Sequence, residues 1–271
     1  MAKFDMGAAW EDSVVLLKSH IALTGTIAAV FLFLPALAVA WFGPTPIEPT
    51  STATFEQVMT AFRESARQSL PYQLLVSLVG AIGGIGILRL WLARTGTSVG
   101  DALGFALKMV PTVIAVQILM ALAIALMALV LIVPGAAVGG AFGVLLVVIG
   151  LLFFIGLCAY LWARFSTTSP VIADRTLHNP IAALKESWAL TRDNGWRIFL
   201  FIFLVFVVIF IAALLLGGAA YAVFGNTEGT GRILSGLIEA GIGALGSLVS
   251  LAITAATYRQ LAVRGGTDVF N

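Results

Sequence analysis

The sequence predicts an all-α, polytopic membrane protein with six transmembrane helices. Three observations carry that reading. Of 271 residues, 60% are apolar and only 10% are charged, where soluble domains have about half and about a quarter. The apolar residues gather into six continuous runs, near 20–42, 71–93, 110–133, 139–163, 197–224 and 233–258. Crossing a hydrocarbon core takes about 20 residues of helix, so each run is long enough. Basic residues fall mostly on one flank of those runs. Together these features exclude a disordered chain and a soluble enzyme of ordinary composition, and they describe one six-span membrane domain over residues 1–271. The runs show no inside/outside alternation, so they are helices with internally bonded backbones and not barrel strands.

Taken in order, the elements have local reasons to form. Asp5 is placed to cap a helix over 6–18 that carries Trp10, Val14 and Leu17. The first run ends in small residues, Ala36 to Ala40, as a cleavable leader does. A leader starts net positive, however, and here Lys3 and Lys18 stand against Asp5, Glu11 and Asp12, so a retained span is expected. Thr54 and Gln57 form a capping-box pattern before an outer helix over 55–69, with Phe55, Val58, Met59, Phe62, Ala66 and Leu70 at helical spacing. The second span has a stripe of Gln73, Ser77, Gly80 and Gly84, with Gly83 and Gly86 nearby, which suits close packing on another span.

Ser98 and Asp101 start a second amphipathic helix over 99–109. Val133-Pro134-Gly135-Ala136 reads as a type II turn between the third and fourth spans. A third amphipathic helix, 179–195, opens at Asn179-Pro180 and closes at Asn194-Gly195. It sets Ile181, Leu184 and Trp188 against Lys185, Glu186, Arg192 and Asp193, the pattern of a helix lying in a membrane surface. The three amphipathic helices start near 6, 99 and 180 and each precedes a span, which suggests a threefold repeat of surface helix, span, outer loop and span.

Charge gives the orientation. Lys3 and Lys18, then Arg89, Arg94 and Lys108, then Arg164, Arg175, Lys185, Arg192 and Arg197, then Arg259 and Arg264 share one flank, leaving Arg63, Arg67 and Arg232 on the other. The positive-inside rule then places both termini in the cytoplasm. Trp41, Tyr72, Trp91, Tyr160, Trp162, Trp196, Tyr221 and Tyr258 fall near span ends, where amphipathic rings favour the headgroup layer. A net charge of +2 gives no reason to expect a nucleic-acid partner. The single cysteine, Cys158, cannot form an internal disulfide and reads as a small apolar packing residue.

Candidate chemistry is sparse. Glu239 is the one carboxylate well inside a span, with Ser235, Ser250 and Thr254 on its face and Leu234, Leu237, Leu245 and Leu248 opposite. Intramembrane acids are costly and mark function, yet small and hydroxyl residues equally serve helix packing, so both readings stand. Arg232, Arg89 and Gln117 are its candidate partners. The two histidines, His20 and His178, stand in no zinc-site pattern, and no P-loop is present. Asp174 and Glu186 cannot be paired from sequence. No catalytic residue, metal or cofactor is expected.

A family resemblance rests on one stretch. Arg164-Phe-Ser-Thr-Thr-Ser-Pro170-Val-Ile-Ala-Asp174, followed by Asn-Pro180-Ile-Ala-Ala-Leu-Lys-Glu-Ser187-Trp188 and Ala-Leu-Thr-Arg192-Asp-Asn-Gly195-Trp196-Arg197, resembles the signature of the six-span membrane domain first described in glycerophosphoryl diester phosphodiesterases. It is also similar to the YciC-like uncharacterised inner-membrane proteins. The resemblance implies a bacterial inner-membrane location and an all-helical domain. It does not imply phosphodiesterase activity, which in those enzymes belongs to a separate soluble barrel. Read physically, Arg164, Arg175, Lys185, Trp188, Arg192, Trp196 and Arg197 form either a collar for lipid or a protein partner, or simple orientation charge. The expected role is a non-catalytic lipid- or partner-binding scaffold. The rivals are a small transporter using Glu239 and a membrane subunit of a lipid-metabolising enzyme.

Overall fold

In the computed structural model, which describes residues 3–19, 21–44, 47, 54–93, 96–224 and 229–267, all six apolar runs lie in helices long and apolar enough to cross a membrane, and the described residues contain no strand. The protein is therefore an all-α polytopic membrane protein. The helices are α1 (Met6–Lys18), α2 (Ile21–Ala28), α3 (Leu34–Phe42), α4 (Phe55–Leu92), α5 (Val99–Val138), α6 (Gly140–Phe165), α7 (Thr168–Arg175), α8 (Pro180–Thr191), α9 (Gly195–Phe224) and α10 (Gly229–Thr267). A five-residue π-helical segment, Ala29–Phe33, joins α2 to α3 into the first span. Pro35 has no N–H to offer the carbonyl of Phe31, and its ring crowds that carbonyl, which accounts for the wider turn at this place.

The expected caps form. Asp5 accepts from the Ala8 N–H, Ser98 from the Asp101 N–H, and Asn179 from those of Ile181 and Ala182. Thr54 and Gln57 make a reciprocal capping box. Each satisfies an N–H that the first turn of a helix leaves without an internal partner.

Four expectations need correction. The outer helix 55–69 and the second span are one helix, α4, which runs through Pro71; the amphipathic helix 99–109 and the third span are likewise one helix, α5, through Pro111. A proline frees a single carbonyl, here those of Arg67 and Leu107. The rest of the ladder holds, so continuation is cheaper than a break. At 1.5 Å per residue, the 38 residues of α4 and the 40 of α5 extend about 57 and about 60 Å, well beyond a hydrocarbon core of about 30 Å. Pro134 and Gly135 lie within α5, and the hairpin turns instead at Gly139 and Gly140, whose φ values of +67° and +62° suit residues without a side chain. Finally, α8 ends at Thr191, and Gly195 opens α9 instead of closing α8.

Packing is uneven along the bundle axis. The two apolar cores gather where α1, α7 and α8 meet the ends of the spans. One is built on Leu88, Met109, Ile172 and Ala256, and the other on Phe4, Ile198, Phe201 and Ile253. The described basic residues concentrate here too, making this the cation-rich end of the molecule. Hydroxyls stitch it together. Thr112 donates to the His178 carbonyl at 2.9 Å, while Ser187 and Thr191 both donate to the Arg164 carbonyl, at 2.9 and 3.0 Å. The Phe4 N–H donates to Asn194 Oδ1 at 2.8 Å.

Farther along, the spans open. Leu126, Leu152 and Leu215 are each about two-thirds exposed. Here α5 and α6 meet through glycines: a Cβ on Gly135 would lie 2.7 Å from the Val147 nitrogen, and one on Gly150 would overlap the Leu131 carbonyl. The α4 glycines also pack as expected, Gly83 against Phe31 and Gly84 against Leu251, whereas Gln73 and Ser77 stay outside that contact. At the opposite end, Arg232 donates to the carbonyls of Ala40 and Gly43, and Trp41 donates to that of Ile233, tying α10 to α3.

Candidate functional site

A polar concavity lies at the cation-rich end, where α4 and α7 finish beside the last turns of α10. It measures about 520 Å³ and is lined by Trp91, Leu92 and Ala93 from the end of α4, Asp174 and Arg175 from the end of α7, and Tyr258, Arg259 and Ala262 from α10. Helix α7, which no pattern in the sequence announces, positions two of these. Its C-terminus is fixed by Arg89, which donates to the Ala173 carbonyl at 2.8 Å and lies 4.6 Å over the Phe105 ring. A cation at a helix C-terminus meets the negative end of the dipole.

A hydrogen-bonded chain crosses the pocket. Tyr258 donates its hydroxyl proton to Asp174 Oδ2 at 2.6 Å and accepts from Arg175 Nε at 3.4 Å, while Arg175 Nη1 bonds Glu186 Oε1. On the other wall, Arg259 Nη1 pairs with Asp12 Oδ1 at 3.1 Å. Both ion pairs are partly exposed, so each contributes at most about 1 kcal/mol to stability. Their value is positional. Asp174 and Glu186, unpairable in the sequence, are linked through Tyr258 and Arg175, and Tyr258, expected only as a headgroup-layer ring, is the hinge of the network. Nothing in the sequence brings 174 and 258 together, because the contact is set by how α7 folds back.

The basic collar divides. Arg164 faces inward and is 2% exposed, with its guanidinium 4.1 Å over the Trp188 ring and 5.9 Å from that of Tyr160. These ring faces stabilise a cation that has no carboxylate bonded to it among the described residues. It therefore holds α6 to α8 and does not meet a headgroup. Arg197 donates to the Phe4 carbonyl at 3.4 Å. Lys185, Arg192 and Trp196 are exposed. On α8 the buried face is Ala183, Ser187 and Thr191, which leaves Ile181 turned outward, as an interfacial helix requires, while Trp188 packs its ring on Arg164, Tyr160 and Phe165 and is partly exposed. The same holds for α1, which buries Ala9, Ser13 and Leu16 and exposes Trp10. His20 and Arg94, and the side chains of Tyr221 and Arg264, lie outside the described residues.

The second concavity, about 500 Å³, is a groove between α9 and α10 lined by Glu239 and Ser235 together with Phe210, Ala213, Gly217 and Gly243. Glu239 is exposed in it. None of the three candidate partners of Glu239 bonds it: Arg232 and Arg89 hold backbone carbonyls, and Gln117 is exposed elsewhere. Ser250 and Thr254 do not join the groove, since they donate to the Gly246 and Leu251 carbonyls of their own helix. Among the described residues, no group of histidine, cysteine and acidic side chains is placed to hold a metal.

No family model, curated protein or solved structure matches this chain.

Proposed function

We propose that this protein is a non-catalytic scaffold of the bacterial inner membrane that binds lipid or a partner protein, with both termini and the cation-rich end in the cytoplasm. One observation carries the reading. The polar network and both cores lie at one end, while the spans leave large apolar side chains uncovered along most of their length. Such surfaces need lipid or another helix against them. The exposed Lys185 and Arg192, beside the outward Ile181 and the partly exposed Trp188, add attraction for an anionic leaflet of about 1 kcal/mol per cation. The charge bias and the signature from Arg164 to Arg197 support the location. Extraction in mild detergent followed by lipid mass spectrometry tests the proposal: roughly stoichiometric phospholipid is expected, and a lipid-free, monodisperse protein with no partner overturns it.

A second reading, a small transporter, is favoured by Glu239 standing in its lateral groove without a bonded cation among the described residues. Glu239→Gln separates the two. In reconstituted vesicles, a scaffold leaves solute flux unaffected by the change, whereas a transporter that uses the acid loses flux.

A further inference from the structure

The pocket at the ends of α4, α7 and α10 has a donor and acceptor pattern more specific than lipid binding in general, and its assignment rests on the lipid-binding reading. A guanidinium carries five N–H donors. Arg175 commits Nε and Nη1 to Tyr258 and Glu186, and Arg259 commits Nη1 to Asp12, so each retains Nη2 for a ligand. Asp174 commits Oδ2 to Tyr258 and retains Oδ1. The pocket therefore presents an uncommitted Nη2 on each of two guanidiniums and one unspent carboxylate oxygen around a volume of about 520 Å³, within the usual size of a small-molecule site.

The charge balance selects among anions. Arginine forks fit phosphoryl oxygens. Yet three carboxylates, Asp174, Glu186 and Asp12, stand on or beside the same two guanidiniums. A doubly charged free phosphate meets repulsion from all three. A singly charged phosphodiester bearing an ammonium offsets that repulsion, because the ammonium takes Asp174. The wall also has an apolar part, Leu92, Ala262 and the Trp91 ring, at the ends of two membrane-length helices. That is the depth at which a phospholipid changes from headgroup to chain.

We propose that this pocket binds the zwitterionic phosphoethanolamine headgroup of a membrane phospholipid, its phosphodiester between Arg175 and Arg259 and its ammonium on Asp174. The test uses the full chain in detergent. Native mass spectrometry is titrated with phosphatidylethanolamine and phosphatidylglycerol, with soluble glycerophosphoethanolamine and inorganic phosphate as competitors. The wild type is expected to prefer phosphatidylethanolamine. Arg259→Gln, at a half-exposed position, is expected to lower its bound fraction about tenfold with an unchanged melting temperature, and Arg259→Lys to restore part of it. Asp174→Asn is expected to abolish the preference over phosphatidylglycerol. Arg175→Gln gives an independent loss from the other wall. Binding unchanged in both arginine variants overturns the proposal, as does equal binding of the two lipids by the wild type. Displacement by inorganic phosphate at concentrations matching the lipid also overturns it, since the source is then free phosphate. If lipid is retained but is indifferent to every variant, this inference fails and the scaffold reading stands. If the wild type retains neither lipid nor a partner protein, both fail.

Discussion

The cation-rich end and the open flanks of α5, α6 and α9 are made of different residues for a physical reason. At the packed end, small or hydroxylated residues on α8, α1 and α10 (Ala183, Ser187, Thr191, Ala9, Ser13, Ala252, Ala255 and Ala256) are buried beside a core of larger apolar ones. On the flanks, Leu126, Leu152, Phe153 and Leu215 stand outward. In a bilayer, lipid chains are as apolar as leucine, so large apolar side chains gain nothing by meeting one another. Helices associate there only where backbones approach closely, as Gly135, Gly143 and Gly150 allow between α5 and α6. Near water the hydrophobic effect returns, and larger residues such as Leu88, Met109 and Ile172 are gathered into a core.

The contrast breaks most visibly by truncation. Leu88→Ala, at a fully buried site, is expected to cost about 2 to 5 kcal/mol, whereas Leu152→Ala, two-thirds exposed, stays within about 0.5 kcal/mol. Thermal unfolding in detergent measures both, and similar losses at the two sites contradict the contrast. Next in size, Gly150→Val forces α5 and α6 apart and is expected to cost about 1 to 3 kcal/mol. Gly156→Val on the same helix, where an added Cβ meets nothing within 4 Å, is the matched control and should be close to neutral. Smallest, Ser98→Ala removes the α5 cap at the packed end and is expected to cost about 1 kcal/mol, seen as faster hydrogen exchange over the first turn.

The six spans and the four side-chain caps are legible in the sequence because each depends on adjacent residues: a continuous apolar run, or a polar side chain two or three positions before the N–H it accepts. Helix limits at proline are not. Pro71 and Pro111 look like ends when read locally, and their helices continue because neighbouring turns tolerate one lost bond. Pro134-Gly135 has turn chemistry but lies in the α5–α6 contact, where glycine is used for close approach and not for its φ. For the site, the basic stretch is visible in the sequence but its geometry is not. Arg164 is stacked on Trp188 and covered by α8, whereas Arg192, at the end of α8, is exposed, and Tyr258 meets Asp174 across 84 residues of chain. Long-range pairs of this kind leave no periodicity for a single sequence to display. The acid in the membrane, Glu239, is legible as unusual, and it does share a groove with Ser235, but the two other hydroxyls on its face bond within their own helix.

Single-cysteine labelling at three depths tests the central claim most directly, that a packed, cation-rich end faces the cytoplasm while the flanks lie in lipid. With Cys158 replaced by alanine, cysteines are placed at Arg63, Leu152 and Lys185, all exposed. With a membrane-impermeant maleimide on intact cells, Arg63→Cys should label, Lys185→Cys should label only after lysis, and Leu152→Cys should resist in both conditions. Labelling of Lys185→Cys in intact cells, or ready labelling of Leu152→Cys, would contradict the account.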